Sequence, residues 1–347
     1  MQDTINYDKI NPDIEQFQAE LKAYAQQIMD EPFTIGSELS AKTLLQRENT
    51  EIETLIDPIL PRVGVASLIG SSDCGKSSFL RSLAMHIVAG EEYFLGFRVR
   101  PKHYRALYVS TEDEENSVSV VMRRQAQELG YTPERLEELR FLFDTENLFQ
   151  TLDAIVRAQP HDLVVLDAFS DLFVGNMNDN NQVRQFLNRF HDFALEHSLL
   201  VLFLHHTGKR TESLTPSKHN AIGSQGFEAK MRFVAELRQD PDPQRCNLRH
   251  FCIVKGNYLP PIYKRQSYEL NFTQGLNFTL TGNRVDYELI KERTPEEIER
   301  EQLNSLKSEG RTIREIAEKT GISRSKVGRI LKTQTAEQQS LDYEAPF

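Results

Sequence analysis

Two kinds of apolar pattern alternate along most of the chain. Short apolar runs typical of strands alternate with segments in which apolar residues recur at helical spacing. The predicted strands are Val65–Ile69, Ala106–Ser110, Arg140–Phe143, Leu163–Leu166, Leu199–Leu204, Phe233–Leu237, Phe251–Val254 and Leu276–Leu280. Helical patterns separate the earlier strands, whereas the later strands follow one another closely. We therefore expect an α/β fold, with a mostly parallel sheet flanked by helices on both faces and an antiparallel extension.

The two ends of the chain depart from this alternation. Between Pro12 and Asp30, apolar residues at helical spacing predict an amphipathic helix, which packs either on its own core or on a neighbouring subunit. Thr294-Pro-Glu-Glu297 has the form of a capping box and predicts a helix that ends near Lys307. The predicted domains are a helical oligomerisation segment over 1–55, an α/β domain over 56–290, a small all-α domain over 291–335 and a disordered tail over 336–347.

The composition of the chain is that of an ordinary globular protein. Of its 347 residues, 27% are charged and 39% are hydrophobic. The apolar run Leu199–Leu204 is too short to cross a bilayer, and the first residues lack the pattern of a signal peptide. Cys74, Cys246 and Cys252 show no metal-ligand spacing. We therefore expect a cytoplasmic protein with no membrane partner.

Residues 70–77 read Gly-Ser-Ser-Asp-Cys-Gly-Lys-Ser and fit the phosphate-binding loop pattern G-x-x-x-x-G-K-[ST] without a mismatch. The segment lies between a predicted strand and a helical pattern, which is the context that the motif requires. The glycines let backbone N–H groups face an anion, while Lys76 would reach the β- and γ-phosphates and Ser77 would hold Mg²⁺. We therefore expect ATP and Mg²⁺ as cofactors. The predicted nucleotide-binding residues are Gly70, Ser71, Ser72, Asp73, Cys74, Gly75, Lys76, Ser77 and Ser78.

Acidic residues follow two of the predicted strands. Asp167 ends an apolar strand and is the predicted Mg²⁺ ligand, through water or by way of Ser77. Ala168 follows it, so the carboxylate that orients the attacking water must come from another strand. We predict Glu112 for this role, with Asp113 as the alternative, at the tip of a strand expected to lie beside the phosphate-loop strand. A solvated acidic turn is the other interpretation of this position.

A polar segment follows the strand at Leu199–Leu204. It begins with His205 and His206, and a polar side chain at this strand tip could hydrogen-bond the γ-phosphate; we predict His206 for this role. The loop that follows, residues 209–225, is basic, with Gly208 just before it and Gly223 within it. We predict that this loop is flexible and contacts DNA. Its predicted DNA-binding residues are Lys209, Arg210 and Lys218.

Charge is distributed unevenly along the chain. The net charge of −10 argues against a nucleic-acid partner, but between Arg311 and Lys332 seven basic residues face only two acidic ones. The same stretch has the pattern of two helices joined by a turn, with Ala317 where the helices cross and Gly321 in the turn. A helical domain for protein contacts is one interpretation, and a DNA-binding helix-turn-helix is the other. The predicted DNA-binding residues of the second helix are Arg324, Ser325, Lys326 and Arg329.

The order of these motifs resembles that of the RecA-type ATPases, most closely the RepA-like branch of hexameric replicative helicases. The resemblance covers about residues 55–285, and the C-terminal pattern resembles resolvase-type helix-turn-helix domains. It implies a RecA-like sheet and an ATP site between subunits of a ring, where Lys255 or Arg232 of a neighbouring subunit reaches the γ-phosphate. RepA-like proteins usually carry arginine just before a Gly-Ser pair, where this chain has Ile222. The matching segments are Phe94-Leu-Gly96, Tyr108-Val-Ser-Thr-Glu-Asp113, Leu166-Asp167, His205-His-Thr-Gly-Lys209, Ile222-Gly-Ser224 and Lys255-Gly-Asn-Tyr258.

A DNA-binding module joined to an ATPase leads to one principal expectation about function. We expect an ATP-hydrolysing, ring-forming DNA helicase or translocase that serves replication or mobilisation of a mobile element. The expected partners are DNA, further copies of the chain in a hexameric ring, and other replication or recombination proteins. The alternative is a non-motor ATPase that regulates, loads or positions a recombinase, a transposase or a replication initiator. A small-molecule kinase is a third class, and it would leave the basic C-terminal module unexplained.

Overall fold

The computed structural model of the protein describes residues 39–47, 51–208, 211–223, 225–292 and 295–331. The predicted helix between Pro12 and Asp30 and the predicted tail over 336–347 lie outside these residues. The chain forms two units, Met1–Ile52 and Glu53–Phe347. The described part of the first unit contains the helix α1 (Ala41–Leu45), whose N-terminus is capped by the side chain of Ser40.

The described part of the second unit is built from strands and helices that alternate over most of its length. The strands are β1 (Thr54–Asp57), β2 (Leu60–Pro61), β3 (Gly64–Gly70), β4 (Tyr93–Phe94), β5 (Phe97–Val99), β6 (Ala106–Ser110), β7 (Leu139–Leu142), β8 (Leu163–Asp167), β9 (Leu200–His206), β10 (Phe233–Gln239), β11 (Leu248–Gly256), β12 (Gln266–Phe272) and β13 (Phe278–Asp286). The helices are α2 (Lys76–Val88), α3 (Glu115–Leu129), α4 (Leu148–Ala158), α5 (Phe169–Leu172), α6 (Asn180–Glu196), α7 (Gln225–Lys230), α8 (Pro295–Ser308), α9 (Ile313–Thr320) and α10 (324–331). Across the described ranges, no helix is both long enough and apolar enough to span a membrane.

Nine strands form the main sheet in the order β13-β12-β11-β10-β3-β9-β8-β6-β7. The six strands from β10 to β7 are parallel, and β11, β12 and β13 extend the sheet in antiparallel fashion. The predicted α/β fold, with a mostly parallel sheet and an antiparallel extension, is therefore confirmed. A second, small sheet in the order β2-β1-β5-β4 was not predicted, because its strands are only two to four residues long.

The position of β6 corrects one prediction. The strand that ends before Glu112 does not lie beside the phosphate-loop strand β3, since β9 and β8 lie between them. Successive strands of a sheet are often neighbours, but here the chain moves outward from β3 to β6 and returns through β8 and β9. Because all four strands are parallel, their carboxyl ends still meet at one edge of the sheet.

Helices cover both faces of the parallel part of the sheet. Ala66 and Leu68 of β3 pack into one core with Leu83 of α2. Their neighbours Val65 and Ile69 point to the opposite face and pack into a second core with side chains of α6. A strand that is buried on both faces carries apolar residues on both, which explains why β3 has no polar alternation and only one polar side chain, Ser67.

Three helices near the C-terminus share a small core of their own. Leu303 of α8, Ile316 of α9 and Val327 of α10 are buried against one another. A capping box between Thr312 and Glu315 begins α9, and Gly321 ends it with a φ of 73°, a left-handed conformation that glycine adopts without strain. The helix predicted to begin at Thr294 is α8, and Thr294 itself lies outside the described residues.

Candidate nucleotide-binding site

The phosphate loop connects β3 to α2 and is held by its neighbours on the sheet. Gly70 lies so close to β10 that a Cβ atom there would be 2.4 Å from the carbonyl oxygen of Leu237. Gly75 precedes α2 with a φ of 94°. Two side chains, one from β10 and one from β11, support the loop from outside: Gln239 Nε2 donates to the carbonyl of Asp73 (3.1 Å) and Arg249 Nε donates to that of Cys74 (2.9 Å).

Lys76 crosses the inside of this loop. Its ammonium group is buried and donates to the carbonyl oxygen of Ser71 at 2.6 Å. An ammonium group has three N–H donors, so this single recorded bond leaves donors for an anion. Lys76 begins α2, where the helix dipole also favours negative charge. The predicted phosphate-binding role of Lys76 therefore fits the geometry of the loop.

Asp167 ends β8 and is 4% exposed. Tyr108 donates its hydroxyl to Asp167 Oδ2 at 2.5 Å, whereas Oδ1 is buried and has no hydrogen-bond partner. Burial raises the pKa of Asp167 above its ordinary value, although the hydrogen bond from Tyr108 acts in the opposite direction. A buried carboxylate oxygen without a partner is a strong ligand for a hard cation. Asp167 and Ser77 therefore fit the Mg²⁺ that the loop motif implies.

Glu112 and His206 lie at the tips of β6 and β9, on either side of the end of β8. His206 Nε2 is 3.2 Å from Glu112 Oε1. Thr111 fixes the turn before Glu112, because its backbone N–H and its hydroxyl both donate to the carbonyl of Asp167 (2.8 and 2.9 Å). The peptide bond after Asp167, to Ala168, is cis. The structure thus brings the predicted water-orienting carboxylate and the predicted γ-phosphate contact together beside the predicted Mg²⁺ ligand.

Two residues that neighbour this pair have other partners. Asp113, the alternative to Glu112, lies 3.6 Å from the buried guanidinium of Arg81. His205 is fully buried, its Nε2 lies 2.8 Å from the carbonyl oxygen of Ile222, and its ring packs against Phe169. Burial lowers the pKa of His205 to about 4, so its imidazole is neutral near pH 7. Geometry therefore favours Glu112 and His206, whose roles stay predictions.

The described part of the segment after β9 is hydrogen-bonded to β10, and its flexibility stays a prediction. Arg238 is buried and donates to the carbonyl oxygens of Thr211 (2.9 Å) and Leu214 (2.5 Å). Its partner Glu236 accepts from the backbone N–H of Ser217 at 2.9 Å. Such a pair fixes the segment because the bonds run to its backbone rather than to exposed side chains.

The predicted DNA-binding residues of this segment have different outcomes. Lys209 and Arg210 lie outside the described residues. Lys218 lies 3.1 Å from a carboxylate oxygen of Glu228, so its ammonium is engaged within the chain. Glu236 and Arg238 were missed in the sequence. A signal was present, because charged residues at two alternate positions inside an apolar strand indicate a buried pair rather than a solvated face.

Arg232 lies near the end of β3 that is opposite the phosphate loop, and Lys255 lies level with the middle of β3. The N–H of Arg232 donates to the carbonyl of Val65, and its side chain packs against Gly64 at the start of β3. Lys255 pairs with the second residue of β10, and its Nζ donates to the carbonyl of Glu228 at 2.5 Å. Burial lowers the pKa of Lys255. Along β3, the level of Arg232 lies about 17 Å from Gly70 and the level of Lys255 about 10 Å.

A cavity of about 440 Å³ borders the phosphate loop on the β10 side. It is lined by Ser71, Ser72 and Asp73 of the loop, by the 240–243 turn and by Ile290. Its size is in the range of small-molecule sites. The loop is therefore flanked by Glu112 and His206 on one side and by this cavity on the other.

The comparison with known proteins agrees with this geometry. A family described as an AAA domain matches residues 31–212, about half of the chain. The match includes the phosphate loop, Glu112, Asp167 and His206, and it ends before β10. No curated protein matches the chain. The extent of the family match shows that the chain belongs to the AAA domain family, whose members are P-loop proteins.

Proposed function

We propose that this protein hydrolyses ATP and binds DNA, as a ring-forming helicase or translocase of the RepA-like kind. The observation that carries the ATPase proposal is the buried, unpartnered Oδ1 of Asp167 beside the phosphate loop and the Glu112–His206 pair. Structural carboxylates are normally hydrogen-bonded, so an orphaned oxygen at this position supports a cation site. The family membership supports nucleotide hydrolysis in general.

The residues of the chain would divide the reaction among them. Lys76 would bind the β- and γ-phosphates, and Ser77 and Asp167 would hold Mg²⁺, which neutralises charge on the phosphate oxygens. Glu112 would accept a hydrogen bond, and then a proton, from the attacking water at a carboxylate oxygen. His206 lies against this carboxylate and at the tip of a strand that leads into residues 207–223. It would therefore contact the γ-phosphate and pass its loss to that segment.

The proposal of a ring rests on where the cations lie. Arg232 and Lys255 are the predicted contacts to the γ-phosphate, yet Arg232 lies near the far end of β3 from its own loop and Lys255 lies level with the middle of that strand. A site that needs either residue would be completed by a second copy of the chain. Cations that reach the γ-phosphate from a neighbour stabilise transition-state charge and couple hydrolysis to assembly.

The DNA-binding proposal rests on α10 and its surroundings. Arg324, Ser325, Lys326 and Arg329 are all exposed on this helix, while Val327 faces the core. Lys326 also donates to a carboxylate oxygen of Glu299 at 2.8 Å, and this pair would have to open for Lys326 to contact phosphate. A helix that presents basic residues at its N-terminal half fits a recognition helix in a major groove.

One observation supports the second candidate, an ATPase switch that loads or positions another DNA enzyme. The segment expected to contact DNA is bound to Glu236 and Arg238, and Lys218 is paired with Glu228. Ile222 also stands where RepA-like proteins usually carry arginine. A motor needs a loop that moves along the strand, whereas a switch needs only two states of an anchored segment.

Three measurements test these proposals. Wild-type protein should hydrolyse ATP in the presence of Mg²⁺, and Lys76→Ala should abolish turnover; equal turnover in both would refute the site. A strand-unwinding assay then separates the two candidates. DNA-stimulated hydrolysis without unwinding or translocation would exclude the helicase and leave the switch. Electron microscopy with an ATP analogue and DNA would show whether a ring forms around the strand.

A further inference from the structure

Arg81 is a buried cation one turn into α2, directly behind the phosphate loop. It is 4% exposed. Its Nε donates to Gln125 Oε1 at 3.3 Å, and its Nη2 lies 3.5 Å from Ser78 Oγ. Its Nη1 is buried without a hydrogen-bond partner and lies 3.6 Å from Asp113 Oδ2. A guanidinium with five donors is thus only partly satisfied, and its free end faces the residue after Glu112.

The other side of this guanidinium is fixed. Gln125 is fully buried on α3 and donates from Nε2 to the carbonyl oxygens of Ser78 (2.9 Å) and Leu276 (3.0 Å). These bonds leave Gln125 Oε1 oriented towards Arg81. The guanidinium therefore cannot turn away from Asp113 without breaking bonds that also join α2 to α3.

The turn that carries Glu112 is held from three directions. Ser110 Oγ donates to the carbonyl of Asp113 at 3.0 Å, and Thr111 bonds to Asp167 on β8. Both contacts come from strands of the sheet. The ion pair with Arg81 joins the same turn to α2, the helix that begins at the phosphate-binding lysine.

We propose that Arg81 is a positioning residue, which orients Glu112 for attack on the nucleotide by holding Asp113. This inference rests on the proposed ATPase function. Movement of α2 when the loop closes on phosphate would then move the carboxylate that aligns the water. The fold-change in turnover caused by misplacing a reacting group by about 1 Å can reach about 10². The predicted binding residues Lys76, Ser77 and Asp167 have no hydrogen bond to Arg81, and its one contact with the loop residues is the 3.5 Å bond to Ser78.

The test compares Arg81→Met, Arg81→Lys and Asp113→Asn by steady-state hydrolysis and by equilibrium binding of Mg·ATP. We expect kcat to fall by about 10²-fold in Arg81→Met, with KM and the dissociation constant changed less than threefold. Arg81→Lys keeps the charge and should recover part of kcat. Asp113 is half exposed, so Asp113→Asn should fold and reproduce the loss. The double variant should be no slower than Arg81→Met, because both changes break one contact.

Arg62→Met is the matched control. Arg62 is also buried, and it pairs with Asp162 at 3.4 Å before β3, away from the phosphate-loop edge. The Arg62→Met variant should lose stability but keep kcat. Equal kcat losses in the Arg62 and Arg81 variants, additive losses in the double variant, or a change in KM alone would overturn the positioning role. Wild-type protein without ATPase activity would refute the proposed function itself, a result distinct from all of these.

Discussion

Two groups of buried charge flank the phosphate-loop strand, and they differ in how completely they are bonded. On the β8 side, Asp167 keeps one carboxylate oxygen without a partner. On the β10 side, both oxygens of Glu236 are engaged, by Arg238, Ser217 and Asn220. Burial raises the pKa of each carboxyl group. Both carboxyl groups are thus desolvated. They differ in hydrogen bonding: Asp167 keeps an oxygen that could bind a cation, whereas Glu236 is fully bonded and anchors the segment after β9.

The largest expected effect separates function from stability at Asp167. Asp167→Asn should lower ATP turnover by about 10³-fold, because the cation loses its charged ligand. Its folded-state pKa is raised, so the ionised carboxylate costs stability at neutral pH, and the neutral amide should raise the free energy of unfolding by about 1 kcal/mol. Hydrolysis assays and urea denaturation measure the two quantities. A strong loss of stability would show that Asp167 is structural.

The next effect concerns Glu112, an exposed carboxylate near Asp167. Glu112→Gln should lower kcat by about 10²-fold and leave Mg·ATP binding intact, since the amide cannot take a proton from water. Asp113→Gln is unsuitable as a control because it breaks the pair with Arg81. Glu114→Gln, the next residue on the same turn, is the matched control and should keep kcat. If the Glu114 variant lost as much activity as the Glu112 variant, the water-orienting carboxylate would be assigned wrongly.

Asp167→Asn should raise the free energy of unfolding, whereas a change in the Glu236–Arg238 pair should lower it. Arg238→Met leaves the Glu236 carboxylate buried without its cation and should lower the free energy of unfolding by about 3 kcal/mol. Arg238→Met combined with Glu236→Gln should recover part of this loss. Chemical denaturation of the single and double variants measures the coupling. A single variant as stable as the wild type would mean that the pair does not anchor residues 211–217.

The smallest expected effect lies in the C-terminal helices, where charges are exposed. Arg324→Ala with Lys326→Ala should weaken DNA binding about tenfold and flatten its salt dependence, while basal ATPase activity stays unchanged. Arg314→Ala, on the preceding helix, removes an exposed arginine that pairs with Glu318 and serves as the control. Fluorescence anisotropy at two salt concentrations gives both quantities. Parallel loss of ATPase activity would indicate a structural role for α10.

The sequence predicted the parallel part of the sheet because its strands are buried on both faces. Continuous apolar runs such as Val65–Ile69 are easy to recognise, and seven of the eight predicted strands overlap observed ones closely. The eighth, Leu276–Leu280, is shifted, since β13 begins at Phe278. β12 was missed because its residues Gln266–Phe272 mix polar and apolar side chains rather than forming an apolar run.

The residues of the candidate site were predicted one by one, but the contacts that support them were not. The phosphate loop and Asp167 follow from motifs whose spacing is local. The order of strands, the Arg81–Asp113 pair and the anchor at Arg238 depend on contacts between residues far apart in the chain. Local pattern does not encode such contacts, because any apolar strand can occupy the centre of a parallel sheet.

The contact between Gly70 and β10 has a consequence for the mutational tolerance of the loop. An added methyl group would collide with the Leu237 carbonyl whether or not a nucleotide is bound. Gly70 is therefore constrained by folding, whereas Lys76 is constrained by ligand binding. In a library of single variants sorted for intracellular abundance alone, substitutions at Gly70 should be depleted and those at Lys76 retained. Two fixed positions of one motif, Gly70 and Lys76, would thus be separated by the property under selection.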